Sequence, residues 1–461
     1  MKPLNNRVSV DKDSGFSSRN LALQILNQIA ERSAYANLVL PTELKKQNLE
    51  PRDKAFVTEL VYGSLRQRVL YDAIIERASG RKITKIDLTP LNILRLTAHQ
   101  LISLDTPPHA AVDSAVRLVV RNKSGSASGF VNAVSRRISE RSREEWLELL
   151  TSEKDDLDRL ALTYSHPRWI VEEYFKRLGN LDEVERELTA NNLNPRVTAV
   201  IYPGIDWSPS TLEGSHECEY TKNARYIEGN PEHILEIRSG AGGIQDQGSY
   251  LVAQALFRAS SMRTQELSSK PGLWLDLCAG PGGKAALLSR WAKERGRRFL
   301  ALEISEHRCL LMARMTESIV VADSVNPPVS IGSSELILLD APCTGLGALR
   351  RRPDARHSKK PSDIPELVAL QRALFESATK LLAPGGVLGY VTCSPVSEET
   401  SSNTRWFLEN HPELQLIDAR PFFPPGMDLA ESHDVQLWPG KHQTDAMYLA
   451  IFQKSPREEL G

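Results

Sequence analysis

From residue 245 onward, short apolar runs alternate with stretches of helical periodicity, and this alternation leaves the second half of the chain few folds to choose from. The runs are LWLDLC, RFLALE, SIVVAD, ELILLDAP, GGVLGYVTCS and AMYLAIF. Each is nearly continuous in apolar residues, as strands covered on both faces are. Strands of this kind separated by helices predict an α/β domain over 241–461, built on a mostly parallel sheet. Ligands in such sheets sit beyond the carboxyl ends of the strands, where the unusual residues of this chain fall.

Upstream the texture is different. After a polar start, segments such as NLALQILNQIAERSAYANLVL, PRDKAFVTELVYGSLRQR, TPLNILRLTAHQLISL and GSASGFVNAVSRRISER place apolar residues three or four apart, so an all-helical domain is expected over 1–140. Residues 141–240 read as connecting helices followed by short apolar runs broken by Pro, Gly and Ser, a small α+β module. A chain of 461 residues has room for roughly three such domains.

Lys and Arg total 57 against 58 Asp and Glu, so a nucleic-acid footprint has to come from local clustering of basic residues. The five cysteines are odd in number and widely spaced, which argues against a disulfide framework and against a CxxC metal site. The histidines, His442 included, lack ligand spacing, and no metal is expected. The start MKPLNNRVSVDKDSGF has no apolar core of a signal peptide. No later stretch reaches the roughly 18 apolar residues of a membrane span. A cytoplasmic monomer without a membrane partner is the expectation.

The chemistry begins where LWLDLC runs into Ala279-Gly280-Pro281-Gly282-Gly283-Lys284 and a helix. A glycine-rich strand-to-helix turn lets the backbone approach a ligand and presents N–H groups at a helix N-terminus. RFLALE ends in Glu303, an acid placed to accept hydrogen bonds from ribose hydroxyls, and the next strand closes with Asp323, which could meet an adenine amino group. The turn lacks the GxGxxG spacing of a dinucleotide fingerprint. With acids after successive strands, it resembles a class I methyltransferase site more than a dehydrogenase site.

Two thiols then close two later strands, Cys343 in DAPCTG after ELILLD and Cys393 in TCS after VLGYV. Carbon 5 of cytosine is a poor nucleophile; a thiolate adding to carbon 6 makes carbon 5 enamine-like, and a carboxylic acid at the N3 edge stabilises the adduct. Asp340 stands where that acid is needed. A free cysteine is often only a buried apolar residue, but two of them beside a nucleotide-type turn form a constellation.

At these residues the chain resembles the Sun family of RNA cytosine-5 methyltransferases. The resemblance rests on QDQGSYLVAQAL, LDLCAGPGGK, DAPCTGLGALRRRPD, QRALFESATKLLAPGGVLGYVTCS with its following EE, and Thr444-Asp445, spanning about 245–452. It implies that Cys393 is the nucleophile, that Cys343 assists breakdown of the enzyme–RNA adduct, and that Asp340 contacts the target base. It further implies an S-adenosylmethionine site shaped by Cys278 to Lys284, Glu303, Arg308, Asp323 and Asp340. The N-terminal stretch resembles the NusB-like RNA-binding domain, and the two together imply a cytosine in 16S ribosomal RNA as substrate. The chain departs from the commoner family pattern at Gly280, usually Ala; at Glu303, usually Asp; at Thr400, usually Asn; and at Ala446, usually Gly.

Arg350, Arg351 and Arg352, followed by Arg356, Lys359 and Lys360, are the expected phosphate contacts. Arg52, Arg66, Arg68, Arg136 and Arg137 form a second candidate patch. Three alternatives stay open on these residues: a transfer-RNA cytosine-5 methyltransferase, a non-catalytic NusB-like RNA-binding or antitermination factor, and, more distantly, a dehydrogenase. The group that removes the carbon-5 proton is not legible.

Overall fold

The structure, a computed structural model, describes residues 14–32, 34–263, 272–316 and 318–456. The chain divides into two compact units: residues 1–172 with 351–358, and residues 173–350 with 359–461. Residues 141–172 of the expected middle module thus lie with the first unit, and 173–240 with the second.

The first unit is helical, as the three-and-four spacing of its apolar residues predicts. At its centre the helix Leu88–Ile102 is buried on every side from Pro90 to Gln100. The helices Ser14–Arg32, Pro51–Arg66, Arg68–Ser79, Pro108–Arg121 and Ser128–Ile138 pack around it through Leu23, Ile25, Leu60, Ile74, Leu118 and Val131. The polar groups drawn inside are paired. Arg95 donates to both carboxylate oxygens of Asp72 at 2.6 and 2.8 Å, and the Tyr71 hydroxyl meets His99 Nδ1 at 2.9 Å.

The second unit opens with a small antiparallel sheet, β1 (Val197–Ile201), β2 (Ser215–Cys218), β3 (Thr221–Ile227) and β4 (Gly242–Ile244), in the order β2-β3-β1-β4. The large sheet follows: β5 (Leu273–Asp276), β6 (Arg298–Glu303), β7 (Ile319–Val321), β8 (Ser334–Asp340), β9 (Leu382–Thr392), β10 (Leu414–Ile417), β11 (Val435–Gln436) and β12 (Tyr448–Lys454). Its order is β10-β12-β9-β8-β5-β6-β7, with β11 on β12. Strands β5 to β9 are parallel, and β12 closes antiparallel on β9. β10 and β11 lie outside the expected runs; both are short and partly solvent-facing, so they lack the continuous apolar signature.

Side-chain alternation splits the interior in two. Leu336 and Leu338 of β8 face one core with the helices Gln247–Arg263 and Gly283–Glu294. Ile337 and Leu339 face the other, with Ile364–Leu381 and Ser401–Asn410. The period of two along a strand buried on both sides requires this division. No helix among the described residues is long and apolar enough to cross a membrane.

Leu94 on the central helix is fully buried. Leu94→Ala is expected to destabilise the helical unit by about 2–5 kcal/mol, measured as the loss of amide protection for Leu88–Ile102 in native-state hydrogen exchange.

Candidate active site

Four strand ends converge at the carboxyl edge of the large sheet. β5 leads through Leu277–Gly282 into the helix Gly283–Glu294. Gly282 has φ +110°, and a Cβ there would lie 2.8 Å from Met312, so this position requires glycine on conformational and steric grounds. The turn is tied to the neighbouring strands through Ala279 N–H to the Leu302 carbonyl at 3.0 Å and Leu277 N–H to the Leu338 carbonyl at 3.0 Å.

At the end of β6, Glu303 is buried, and each carboxylate oxygen accepts one backbone N–H: Oε2 from Gly280 at 3.0 Å, Oε1 from Ser305 at 2.9 Å. An ionised carboxylate has about four acceptor positions, so capacity remains for a ligand's hydroxyls. Arg308 lies 3.6 Å from Glu303 and is largely exposed. Gly280 and Glu303 depend on each other sterically: a Cβ at residue 280 would stand 2.4 Å from Glu303 Oε2. Glycine at 280 thus leaves the space that the Glu303 carboxylate occupies. Asp323, past β7, is exposed and accepts the N–H of Val325 at 2.9 Å.

β8 and β9 deliver the thiols. Their parallel register sets Asp340 opposite Val391, and the ladder runs on through Ala341 N–H to the Val391 carbonyl at 2.9 Å. Cys343 Sγ and Cys393 Sγ consequently stand 3.4 Å apart, though 50 residues separate them. Both are only partly exposed and neither is in a disulfide. The contact with Cys393, burial, and the charges of Cys393 and Glu399 all push the Cys343 thiol well above its usual range, so it stays protonated.

Beside the sulfurs, Lys284 Nζ donates to Asp340 Oδ2 at 2.7 Å. Burial alone would lower the lysine, but the charge and hydrogen bond of Asp340 outweigh it and hold the ammonium above its ordinary value. The expected cofactor-side lysine is thus also the partner of the expected base-contacting acid. The segment after Cys343 folds back over Cys393: Gly347 N–H donates to the Cys393 carbonyl at 2.9 Å, and a Cβ at 347 would meet that carbonyl carbon at 2.8 Å. Ala446 N–H donates to the Gly347 carbonyl at 2.8 Å, which places the closing Thr444-Asp445-Ala446 loop against the cysteine loops.

The basic run is less open than its composition suggests. Arg350 is 9% exposed, and its guanidinium goes to the Gln443 carbonyl at 3.2 Å, Asp445 at 3.3 Å and Asp246 at 3.6 Å. Arg350 thus departs from the expected phosphate contact, because two carboxylates already take its charge where water hardly reaches. Arg351 is half-buried, and Arg352 stacks 4.3 Å over Tyr35. Arg356, fully buried, donates to the carbonyls of Arg66 and Ser165 at 2.9 and 3.2 Å. Of the N-terminal candidates, Arg66 is buried, Arg68 pairs with Asp72, and Arg52, Arg136 and Arg137 are exposed.

Two site residues carried no role in the sequence reading. Asp276 closes β5, and Glu399 follows Cys393. Their signal was an acid inside or just past an apolar strand, where burial has to be compensated.

Residues 265–453 match the family described as 16S rRNA methyltransferase RsmB/F, and residues 17–140 match the NusB family. A Mycobacterium tuberculosis protein described as a methyltransferase is 38% identical over 448 residues, covering 95% of this chain and 96% of its own. A Salmonella paratyphi A ribosomal RNA small subunit methyltransferase B is 28% identical over 94% of this chain and 97% of its own. Among solved structures, PH0851 superimposes with a TM-score of 0.78 at 22% identity, over 96% of this chain and 98% of that one, a likeness of fold. The chain is thus an RNA methyltransferase in class. It belongs to the RsmB/F family, with a NusB-type domain ahead of the catalytic one. S-adenosylmethionine is its methyl donor, and the turn and the Glu303 carboxylate fit an adenosyl group.

Burial, with the Asp340 charge next, pushes Asp276 up to about 8 from an ordinary 3.8. A carboxyl raised on folding contributes stability that is full below its unfolded value and is lost as pH rises through the folded one. Wild-type unfolding free energy should therefore fall relative to Asp276→Asn between about pH 4 and pH 8 and level off above, as urea titrations at pH 5, 7 and 9 will show.

Proposed function

We propose that this enzyme methylates carbon 5 of a cytosine in 16S ribosomal RNA through a covalent cysteine adduct, as a cytoplasmic monomer. The observation that carries this reading is the pair of sulfurs 3.4 Å apart at adjacent strand ends, with the Lys284–Asp340 ion pair beside them.

Cys393, as thiolate, bonds to carbon 6 of the ring, and the displaced electron pair makes carbon 5 nucleophilic. S-adenosylmethionine supplies the methyl group as an electrophile. Asp340, oriented by Lys284 at 2.7 Å, takes up a proton as the base enters and donates it in a hydrogen bond to the N3 edge, where negative charge develops in the adduct. After methyl transfer a base removes the carbon-5 proton, the electron pair of that carbon–hydrogen bond closes the double bond again, and the carbon–sulfur bond breaks with its pair leaving on the Cys393 sulfur. The protonated Cys343 thiol lies within hydrogen-bonding distance of the departing sulfur, in keeping with a part in adduct breakdown. The target base reaches the site by extrusion, at a cost of a few kcal/mol. The NusB-type helices, with exposed Arg136 and Arg137, hold the RNA through its phosphates, while Arg350 orders the loop behind the cysteines.

Cys393→Ala should abolish methylation. Cys343→Ala should accumulate an enzyme–RNA adduct that survives denaturing electrophoresis. In cells, bisulfite sequencing should lose one cytosine signal in 16S ribosomal RNA with Cys393→Ala while transfer RNA is unchanged; retention of that signal, or its loss from transfer RNA, defeats the assignment.

The cofactor contacts proposed for Cys278 to Lys284, Glu303, Arg308, Asp323 and Asp340 have their own test. Gly280→Ala should displace the Glu303 carboxylate and weaken S-adenosylmethionine binding by about 1.5–3 kcal/mol, roughly ten- to a hundredfold in Kd. Glu303→Asp in the same chain should restore it, as isothermal titration will measure.

A further inference from the structure

The residues after TCS and the helix carrying QRALFESATK have so far been given no function, yet they meet in one buried cluster under the sulfurs. Glu399 is fully buried, and its carboxylate accepts four hydrogen bonds. Oε1 takes the backbone N–H of Thr344 at 2.8 Å and the amide of Gln371 at 3.2 Å. Oε2 takes the hydroxyls of Thr344 at 2.6 Å and Ser394 at 2.5 Å. That is the full acceptor capacity of an ionised carboxylate.

The donors are placed in a telling way. Thr344 follows Cys343, and Ser394 follows Cys393. One carboxylate therefore grips the residue next to each thiol, and the Thr344 and Ser394 hydroxyls also meet each other at 3.1 Å. Gln371 adds a third tie, donating at 2.9 Å to the carbonyl of Pro342, the residue before Cys343. The Glu399 backbone is held in turn, its carbonyl accepting the Tyr390 hydroxyl at 2.8 Å, while Asn403 orients Gln371 at 2.9 Å. Burial pushes the Glu399 carboxyl up, and its hydrogen bonds offset that shift only in part. A buried acid with this many converging donors is costly to place for packing alone.

We propose that Glu399 is a positioning residue that sets the spacing of the two thiols, by bridging Thr344 and Ser394 so that Cys343 and Cys393 stay in contact through the catalytic cycle. The link to catalysis rests on the cysteine roles proposed above, but the spacing itself is measured without methylation. A misplacement on the order of 1 Å costs on the order of a hundredfold in rate, so a clamp of this kind acts on kcat rather than on cofactor affinity.

The test is the effective concentration of the thiol pair in the full-length protein. In a glutathione redox buffer, Cys343 and Cys393 give two electrons and two protons to glutathione disulfide, which leaves as two glutathione thiols; the cross-linked peptide is quantified by mass spectrometry. Glu399→Ala and Ser394→Ala should each lower the effective concentration by at least roughly tenfold, and lower kcat on the order of a hundredfold for Glu399→Ala, with the S-adenosylmethionine Kd unchanged. Glu399→Gln should stay within about threefold of wild type, because the two hydroxyls can rotate to accept from the new amide. Ser394→Ala keeps the test decisive if Glu399→Ala does not fold. Thiol pairing that is unchanged in the folded variants overturns the inference. Weakened pairing in a protein whose wild type forms no RNA adduct leaves the clamp standing and sinks the cysteine mechanism instead.

Discussion

The pairing of β8 with β9 is the constraint on which the site depends. These parallel strands lie at the middle of the large sheet, and their common register carries Asp340, Cys343 and Cys393 to one edge. What holds that register is burial on both faces. Leu336 and Leu338 lock into one core and Ile337 and Leu339 into the other, so a slip by one residue would turn each pair into the wrong interior. Behind β9, Phe375 stacks on Phe407 at 3.6 Å, and Phe452 of β12 meets Phe375 edge to face at 5.0 Å.

Around this frame, charge is arranged in separate compartments. Lys284 balances Asp340 next to the sulfurs, Glu303 faces the glycine turn, and Arg350 neutralises Asp246 and Asp445 behind the cysteine loops. Asp276, buried and next to the charge of Asp340, is pushed up toward its protonated form, which Lys284 offsets only in part. Glu399 sits beneath the sulfurs and is satisfied by neutral donors, so its charge bears on the Cys343 thiol without being cancelled by a cation. The surroundings of Cys343, its contact with Cys393 first among them, thus push its thiol up.

Much of this was legible before any coordinates. The parallel sheet followed from continuous apolar runs, and the helical first unit from spacing three and four apart. The turn at 279–284 was visible because glycine and proline punctuate chains strongly. The edge strands β10 and β11 were not, since short and half-exposed segments lack either signature. The basic run at 350–352 was read from its position just behind DAPCTG, which shows three arginines but not the carboxylates of Asp246 and Asp445, about a hundred residues away on either side, that pair with the first of them.

Local sequence alone determined which elements form and which residue types stand at their ends, because periodicity, glycine punctuation and strand burial are properties of neighbouring residues. Tertiary structure decided the partners. The 3.4 Å between Cys343 and Cys393, the grip of Glu399 on Thr344, and the mutual fit of Gly280 and Glu303 join residues separated by 50, 55 and 23 positions. Such contacts depend on strand order and register, which are set by how the whole core closes rather than by any segment of it.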